Sequence, residues 1–306
     1  MADDIKRVLI AIQPGGPPSE NLAKHAFWLA THMSGEIRLV SCLYDTVVAA
    51  GLAYEEQTSY AAQVGMMSAQ ETILEELIES IVTPDCSIDA SVRWDIPYLD
   101  VICDEAQTWS ADLIVVGSPQ SRVRASMGIP GFGIRLASQS PCPVLIAKKA
   151  GFSGYKSVFA AIDPLHRHNE MTGTDDRVLT AATQVARIED SRVSIVNVYP
   201  DPESFELASS IEVRPGVHYG TENIETVHRT AVTEAAERYG IDGERIHLIA
   251  GDPVEEILNQ TRALQADLVV LSVTKRGLIE EAVYGSTAER VAADSECDVL
   301  LVGPAK

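Results

Sequence analysis

The chain repeats itself along its length, and that repeat limits the folds open to it more than any other feature. Asp112-Leu113-Ile114-Val115-Val116-Gly117-Ser118 returns as Asp267-Leu268-Val269-Val270-Leu271-Ser272-Val273, 155 positions on. Cys142-Pro143-Val144-Leu145-Ile146-Ala147 returns at the same spacing as Cys297-Asp298-Val299-Leu300-Leu301-Val302. Arg7-Val8-Leu9-Ile10-Ala11-Ile12 returns 150 positions on as Ser157-Val158-Phe159-Ala160-Ala161-Ile162. Three matches in order at nearly one spacing indicate a duplicated domain. The period is far longer than a solenoid unit. The 306 residues therefore divide into two globular copies, 1–149 and 155–306, each long enough to bury its own core.

Within each copy, short apolar runs alternate with amphipathic stretches. In the first copy the runs Val8–Ile12, Ile37–Leu43, Leu113–Val116 and Val144–Ala147 read as strands, and Ser87–Trp94 alternates like one. Helices are predicted from Pro17-Pro18-Ser19-Glu20 to Met33, from about Ser59 to Ile81, from Pro97 to Trp109 and near Ile134–Ser138, with a less regular stretch after Leu43. The second copy repeats the order, with strands near Val158–Ile162, Arg192–Tyr199, Arg245–Ala250, Leu268–Leu271 and Val299–Val302. Its helices fall near Asp175–Ile188, Thr221–Tyr239, Pro253–Leu264 and Ser286–Ala293. Such alternation gives an α/β class chain: two tandem doubly wound, open, parallel five-stranded sheets. The linker from Lys148 to Tyr155 is short, which predicts copies packed as a pseudo-twofold dimer within one chain.

Composition narrows the partners. With 24 basic and 44 acidic residues the net charge is −20, which argues against non-specific nucleic-acid binding and against an anionic membrane surface. The five cysteines are odd in number, form no Cys-x-x-Cys and sit in or beside apolar runs, so buried free thiols and a reducing cytoplasm are expected. No stretch reaches the length of a membrane span, and the acidic Met1-Ala2-Asp3-Asp4 lacks a signal-type apolar run, which again predicts a cytoplasmic protein.

Doubly wound sheets bind ligands at the carboxyl ends of their strands, so Ile12-Gln13, Gly117-Ser118, Ile162-Asp163, Val198-Tyr199 and Leu271-Ser272 are the positions to inspect. The strongest local signal is Gly285-Ser286-Thr287-Ala288-Glu289-Arg290-Val291. Ser286 and Glu289 have the spacing of a capping box, and a helix start after a glycine presents free N–H groups suited to a phosphate. A capped helix needs no ligand, however, and on these residues alone the structural reading is the commoner one.

Position in the repeat adds weight. The chain resembles the universal stress protein family, in its tandem two-domain form, over essentially its whole length. ATP-binding members carry, after the fourth strand, Gly, two residues, Gly, nine residues, then Gly with Ser or Thr. In the second copy this spacing falls on Ser272, Lys275, Gly285 and Ser286, followed by Thr287; the last pair matches and the two leading glycines are replaced. The family's aspartate after strand one, which contacts adenine, is matched by Asp163, and its backbone contact at the end of strand two falls near Asn197 and Val198. Lys275 crowds the phosphate position while offering a cation, and Glu280 and Glu281 oppose a polyphosphate.

The first copy departs further. Gln13 replaces the aspartate, Gln120 the second glycine, and neither Gly131 nor Gly133 is followed by Ser or Thr, so no ATP is expected there. The resemblance implies a stress-response binding or regulatory module with a small-molecule ligand, ATP with Mg2+ or another phosphate-bearing compound, in the second copy. It also implies self-association, through sheet edges near the last strands. A slow ATPase or phosphotransferase, and a binder of an apolar, lipid-like ligand under the long stretch Pro200–Gly220, are the alternatives. No nucleophile or P-loop motif is present. His166 and His168 near Asp163 suggest a metal only weakly; His25 and His32 read as partly exposed helix residues, and His228 and His247 have no evident partner.

Overall fold

The computed structural model describes residues 4–13, 17–81, 85–118, 131–149, 151–165, 173–201, 222–273, 275–276, 283–284 and 286–304. The chain divides into two compact units between Gly154 and Tyr155.

The first unit runs β1 (Arg7–Ile12), α1 (Glu20–His32), β2 (Gly35–Leu43), α2 (Thr46–Gly51), α3 (Glu56–Ile81), β3 (Cys86–Trp94), α4 (Tyr98–Trp109), β4 (Leu113–Gly117), α5 (Phe132–Gln139) and β5 (Val144–Ala147). Its strands lie in the order β3-β2-β1-β4-β5, all parallel. β1 pairs with β2 from Arg7 against Glu36 to Ile12 against Ser41, and with β4 from Val8 against Leu113 to Ala11 against Val116. A strand with neighbours on both edges and helices on both faces must be apolar throughout, which is why Val8 to Ile12 form a continuous buried run. Each large side chain fully buried there contributes roughly 1.5–3 kcal/mol.

The second unit runs β6 (Ser157–Ala161), α6 (Thr174–Ile188), β7 (Arg192–Tyr199), α7 (Glu222–Arg238), β8 (Ile246–Ala250), α8 (Pro253–Ala263), β9 (Leu268–Ser272), β10 (Lys275–Arg276), β11 (Val283–Tyr284), α9 (Ser286–Asp294) and β12 (Asp298–Val302). Its parallel strands lie in the order β8-β7-β6-β9-β12, and β10 and β11 form a separate antiparallel pair. The winding of the first unit is thus repeated, and in each unit the strand order reverses direction beside the first strand, between β1 and β4 and between β6 and β9.

The repeated aspartates have one structural job. The Asp112 carboxylate accepts the backbone N–H groups of Lys6 and Arg7, both at 2.9 Å. Asp267 accepts those of Lys156 and Ser157, at 2.8 and 3.0 Å. In each unit a carboxylate before the fourth strand fixes the start of the first, satisfying donors that the parallel ladder leaves over. A serine device repeats too: Ser140 Oγ donates to the Cys142 carbonyl at 2.5 Å and Ser295 Oγ to that of Cys297 at 3.2 Å, each just ahead of the last strand.

Several expectations change. The irregular stretch after Leu43 contains α2, because Asp45 caps it by accepting from Val47 and Val48 N–H at 2.8 and 2.9 Å and so offsets the poor helix propensity of Thr46-Val47-Val48. His25 is fully buried: its Nδ1 donates to the Asn21 carbonyl at 2.6 Å and its ring stacks on Phe152 at 3.6 Å. All five cysteines are free thiols; Cys42, Cys86 and Cys297 are buried, but Cys103 and Cys142 are partly exposed. Among the described residues no helix is long and apolar enough to cross a membrane.

Candidate functional site

The carboxyl edge of the second sheet is built by the ends of three adjacent strands. β6 lies between β7 and β9, and its last residue, Ala161, pairs with Val196. The ladder continues for one more bond, from Ile162 N–H to the Val196 carbonyl at 3.1 Å. Asp163 therefore emerges beside the end of β7, where Val198 pairs with Ile249, and beside the end of β9, where Ser272 pairs with Val302. Asp163, Val198 and Ser272 are each partly exposed. The Asp163 N–H faces the Asp175 carboxylate, in the first turn of α6, at 3.3 Å.

Lys275 lies in β10, because its backbone pairs with Tyr284. Ser286 and Thr287 are the first two residues of α9. The capping-box reading sets Ser286 just before the helix; the observed helix includes it, with Glu289 still in the first turn. Gly285 lies outside the described residues, as do Gln120, Glu280, Glu281, His166, His168 and most of the stretch Pro200–Gly220. Because α9 follows β9 and leads into the parallel β12, its N-terminus comes at the carboxyl edge. Its first N–H groups have no partner within the helix, and its dipole favours an anion there.

The side-chain link from Asn197 to His228 is the part of this edge that sequence reasoning missed. Asn197 is fully buried on β7. Its Nδ2 donates to the Ile162 carbonyl at 2.8 Å, and its Oδ1 lies 3.0 Å from Nδ1 of His228, on α7. The chain end that carries Asp163 is thus held by a side chain of the next strand, itself held by a helix. Burial lowers the His228 pKa, and the nearby Asp163 carboxylate partly opposes that shift. Tyr199, at the end of β7, lies 5.7 Å from the His228 ring, centroid to centroid. A signal was present in the sequence: an asparagine inside the apolar run Val193–Tyr199 has to find buried partners.

The first copy handles the same position differently. Ser41 pairs with Ile12 in register and is the counterpart of Asn197. It is fully buried, and its Oγ has no hydrogen-bond partner. The Ile12 carbonyl is instead served by the Tyr98 hydroxyl at 3.3 Å, and Tyr98 stacks on Phe132 with centroids 5.6 Å apart. Gln13 is exposed, and α5 starts at Phe132 after Gly131, whose φ is 76°. An aromatic pair thus stands where the second copy has an amide, an imidazole and a carboxylate.

Among the described residues no group of three or more His, Cys, Asp or Glu side chains is placed to hold a metal. A cavity of about 490 Å³ lies elsewhere, within the first unit, bounded by α1, the end of α3 and Phe152.

Burial also lowers the pKa of His247, which stacks on Phe159 at 5.7 Å. Both imidazoles bind a proton less readily folded than unfolded. The stability they support is present above about 6.5, the ordinary histidine value, and falls as the pH drops below it. Denaturant unfolding at about pH 7.5 and about pH 5.5 is expected to show that loss, and a variant carrying both His228→Gln and His247→Gln is expected to lose less.

The comparisons follow the same division of the chain. The signature described as the Universal stress protein family matches residues 4–148 and again residues 155–303. The Universal stress protein E homolog of Haemophilus influenzae is 21% identical over 309 residues, covering 98% of this chain and 98% of its own. Universal stress protein E of Escherichia coli K12 is 22% identical over 301 residues, covering 98% of this chain and 94% of its own. Among solved structures, protein PA1789 of Pseudomonas aeruginosa PAO1, described as functionally unknown, superposes with a TM-score of 0.67 at 22% identity, covering 98% of this chain and 93% of that one. A universal stress protein from Archaeoglobus fulgidus gives a TM-score of 0.60 at 17% identity, covering 97% of each chain.

Proposed function

The chain belongs to the universal stress protein family, in its tandem form, and from that premise we propose that it is a stress-response binding module whose second domain holds ATP or another phosphate-bearing small molecule. The observation that carries this reading is the asymmetry between the copies. Only the second places a carboxylate, Asp163, at the end of its first strand, with the N-terminus of α9 beginning in Ser286-Thr287 at the same edge. A carboxylate suits the N–H donors of a base, and a helix start suits a phosphate. Where ATP binds, Mg2+ accompanies it, and the hydroxyls of Ser272, Ser286 and Thr287 with the ammonium of Lys275 are the residues that would serve the phosphates. The same reading makes the protein cytoplasmic and self-associating.

Calorimetry with ATP and Mg2+ on paired variants tests it. Asp163→Ala is expected to weaken binding about tenfold or more, equivalent to about 1.4 kcal/mol, while the first-copy counterpart Gln13→Ala leaves it within about twofold. Equal losses in the two variants, or no binding by the unaltered chain, would overturn the reading.

A further inference from the structure

A neutral imidazole carries its proton on one of two nitrogens, and at His228 the backbone decides which. The Ile162 carbonyl only accepts, so the Asn197 atom 2.8 Å from it is the amide nitrogen. That turns Oδ1 toward His228 Nδ1 at 3.0 Å, and because an amide oxygen only accepts, Nδ1 carries the proton. Nε2 of the neutral ring then holds a lone pair. Among the described residues it has no hydrogen-bond partner, and His228 as a whole keeps 9% of its surface exposed. Asp163 follows Ile162 directly, so the strand end that the His228–Asn197 link holds is the one that carries this carboxylate, and its charge acts on the ring. Among the described residues the other groups to weigh are Tyr199, Glu225, Arg229 and His247. Tyr199 faces it from β7; Glu225 and Arg229, on its own helix, pair with each other; His247 on β8 pairs with Val196 rather than with Asn197 and so lies on the opposite face of the sheet.

We propose that His228 is a specificity-determining residue of the second-domain site: its Nε2 and the Asp163 carboxylate form a pair of acceptors that selects a base bearing an amino group over its oxo counterpart. The proposal rests on the nucleotide reading of this edge and deepens it. An amino group supplies donors to both acceptors, whereas an oxo group sets acceptor against acceptor and leaves site and ligand unpaired. Protonation reverses half of the pair. Nε2–H becomes a donor and draws the Asp163 carboxylate to itself, so the preference fades as the pH falls through the His228 titration.

The test uses adenosine and inosine, which differ in the amino or oxo group and in the N1 proton that inosine alone carries, and which have no phosphate to titrate in the same range. Binding is read by calorimetry at about pH 7.5 and about pH 5.5. The unaltered chain is expected to prefer adenosine about tenfold or more at the higher pH and to lose most of that preference at the lower. His228→Gln, which does not titrate, is expected to show one preference at both. Long-range 1H–15N spectra of the ligand-free chain are expected to show the Nδ1–H tautomer, with the His228 pKa lowered further in Asp163→Asn. A preference independent of pH in the unaltered chain, the same pH response in His228→Gln, or an Nε2–H tautomer would overturn the proposal while leaving the nucleotide reading standing. Failure of both nucleosides to bind at either pH would overturn the proposal, and failure of ATP with Mg2+ to bind as well would remove the nucleotide reading.

Discussion

Asn197→Leu is expected to destabilise the second domain by about 3 kcal/mol, while Ser41→Ala, the matched change in the first, shifts stability by no more than about 0.5 kcal/mol. The two positions occupy the same place in the repeat and are both fully buried. Leucine at 197 leaves the Ile162 carbonyl and the His228 Nδ1–H without the partners they have at 2.8 and 3.0 Å. Each buried group stranded in this way costs about 1–3 kcal/mol. Ser41 Oγ has no partner to lose, so its removal strands nothing. Hydrogen exchange under increasing denaturant, read separately on peptides of each domain, measures both effects without assuming that the whole chain unfolds in one step. Equal losses at the two sites would show that the Asn197 chain contributes no more than the orphan hydroxyl does.

The second large effect is expected at Gly35, the first residue of β2. A methyl group there would lie 2.2 Å from the Lys6 carbonyl oxygen and 3.0 Å from its carbon. Those are backbone atoms, and the same oxygen accepts the Glu36 N–H at 2.8 Å. The clash cannot be relieved by turning a side chain; β1 and β2 have to part where their ladder begins. Gly35→Ala is therefore expected to cost about 3 kcal/mol or more. Gly65, exposed in the middle of α3, is the control, because nothing lies within 4 Å of the added carbon. There alanine is expected to stabilise by about 0.5–1 kcal/mol through helix propensity. Thermal melts of the two variants should move in opposite directions.

The sequence shows most of the frame because the frame is periodic. Apolar runs flanked by turn residues mark most of the long strands, alternation marks β3, and β7 has the bounds its pattern gives, Arg192–Tyr199. What it hides depends on distance or on small size. Asp112 and Asp267 stand out as repeated residues, but their partners lie 105 to 111 positions away and only the fold brings them near. The pair β10 and β11 has two residues per strand, too few for any alternation to show. His25 lies on the stripe Leu22, His25, Ala26, Leu29, whose spacing of three and four marks the buried face of α1; its polarity masked a signal that was there.

The candidate site divides in the same way. Asp163, Val198 and Ser272 were legible because strand ends can be counted from the apolar runs, and the order of a doubly wound sheet places those ends side by side. His228 was not, because it reaches the edge from a helix across 31 positions and through the side chain of Asn197. The aromatic pair Tyr98 and Phe132 in the first copy was hidden for the same reason, as it joins the starts of two helices that are far apart in sequence.

On the function proposed above, the chain keeps its scaffold twice and its ligand edge once. Hydrogen–deuterium exchange with and without ATP and Mg2+ tests it most directly, because it locates the ligand by copy. The predicted result is slower exchange in peptides spanning 162–163, 197–199, 272–273 and 286–289, with the first-copy counterparts around 12–13, 41–43 and 117–118 unchanged. Protection at the first-copy strand ends, or equal protection in both copies, would show that the ligand edge is not confined to the second copy.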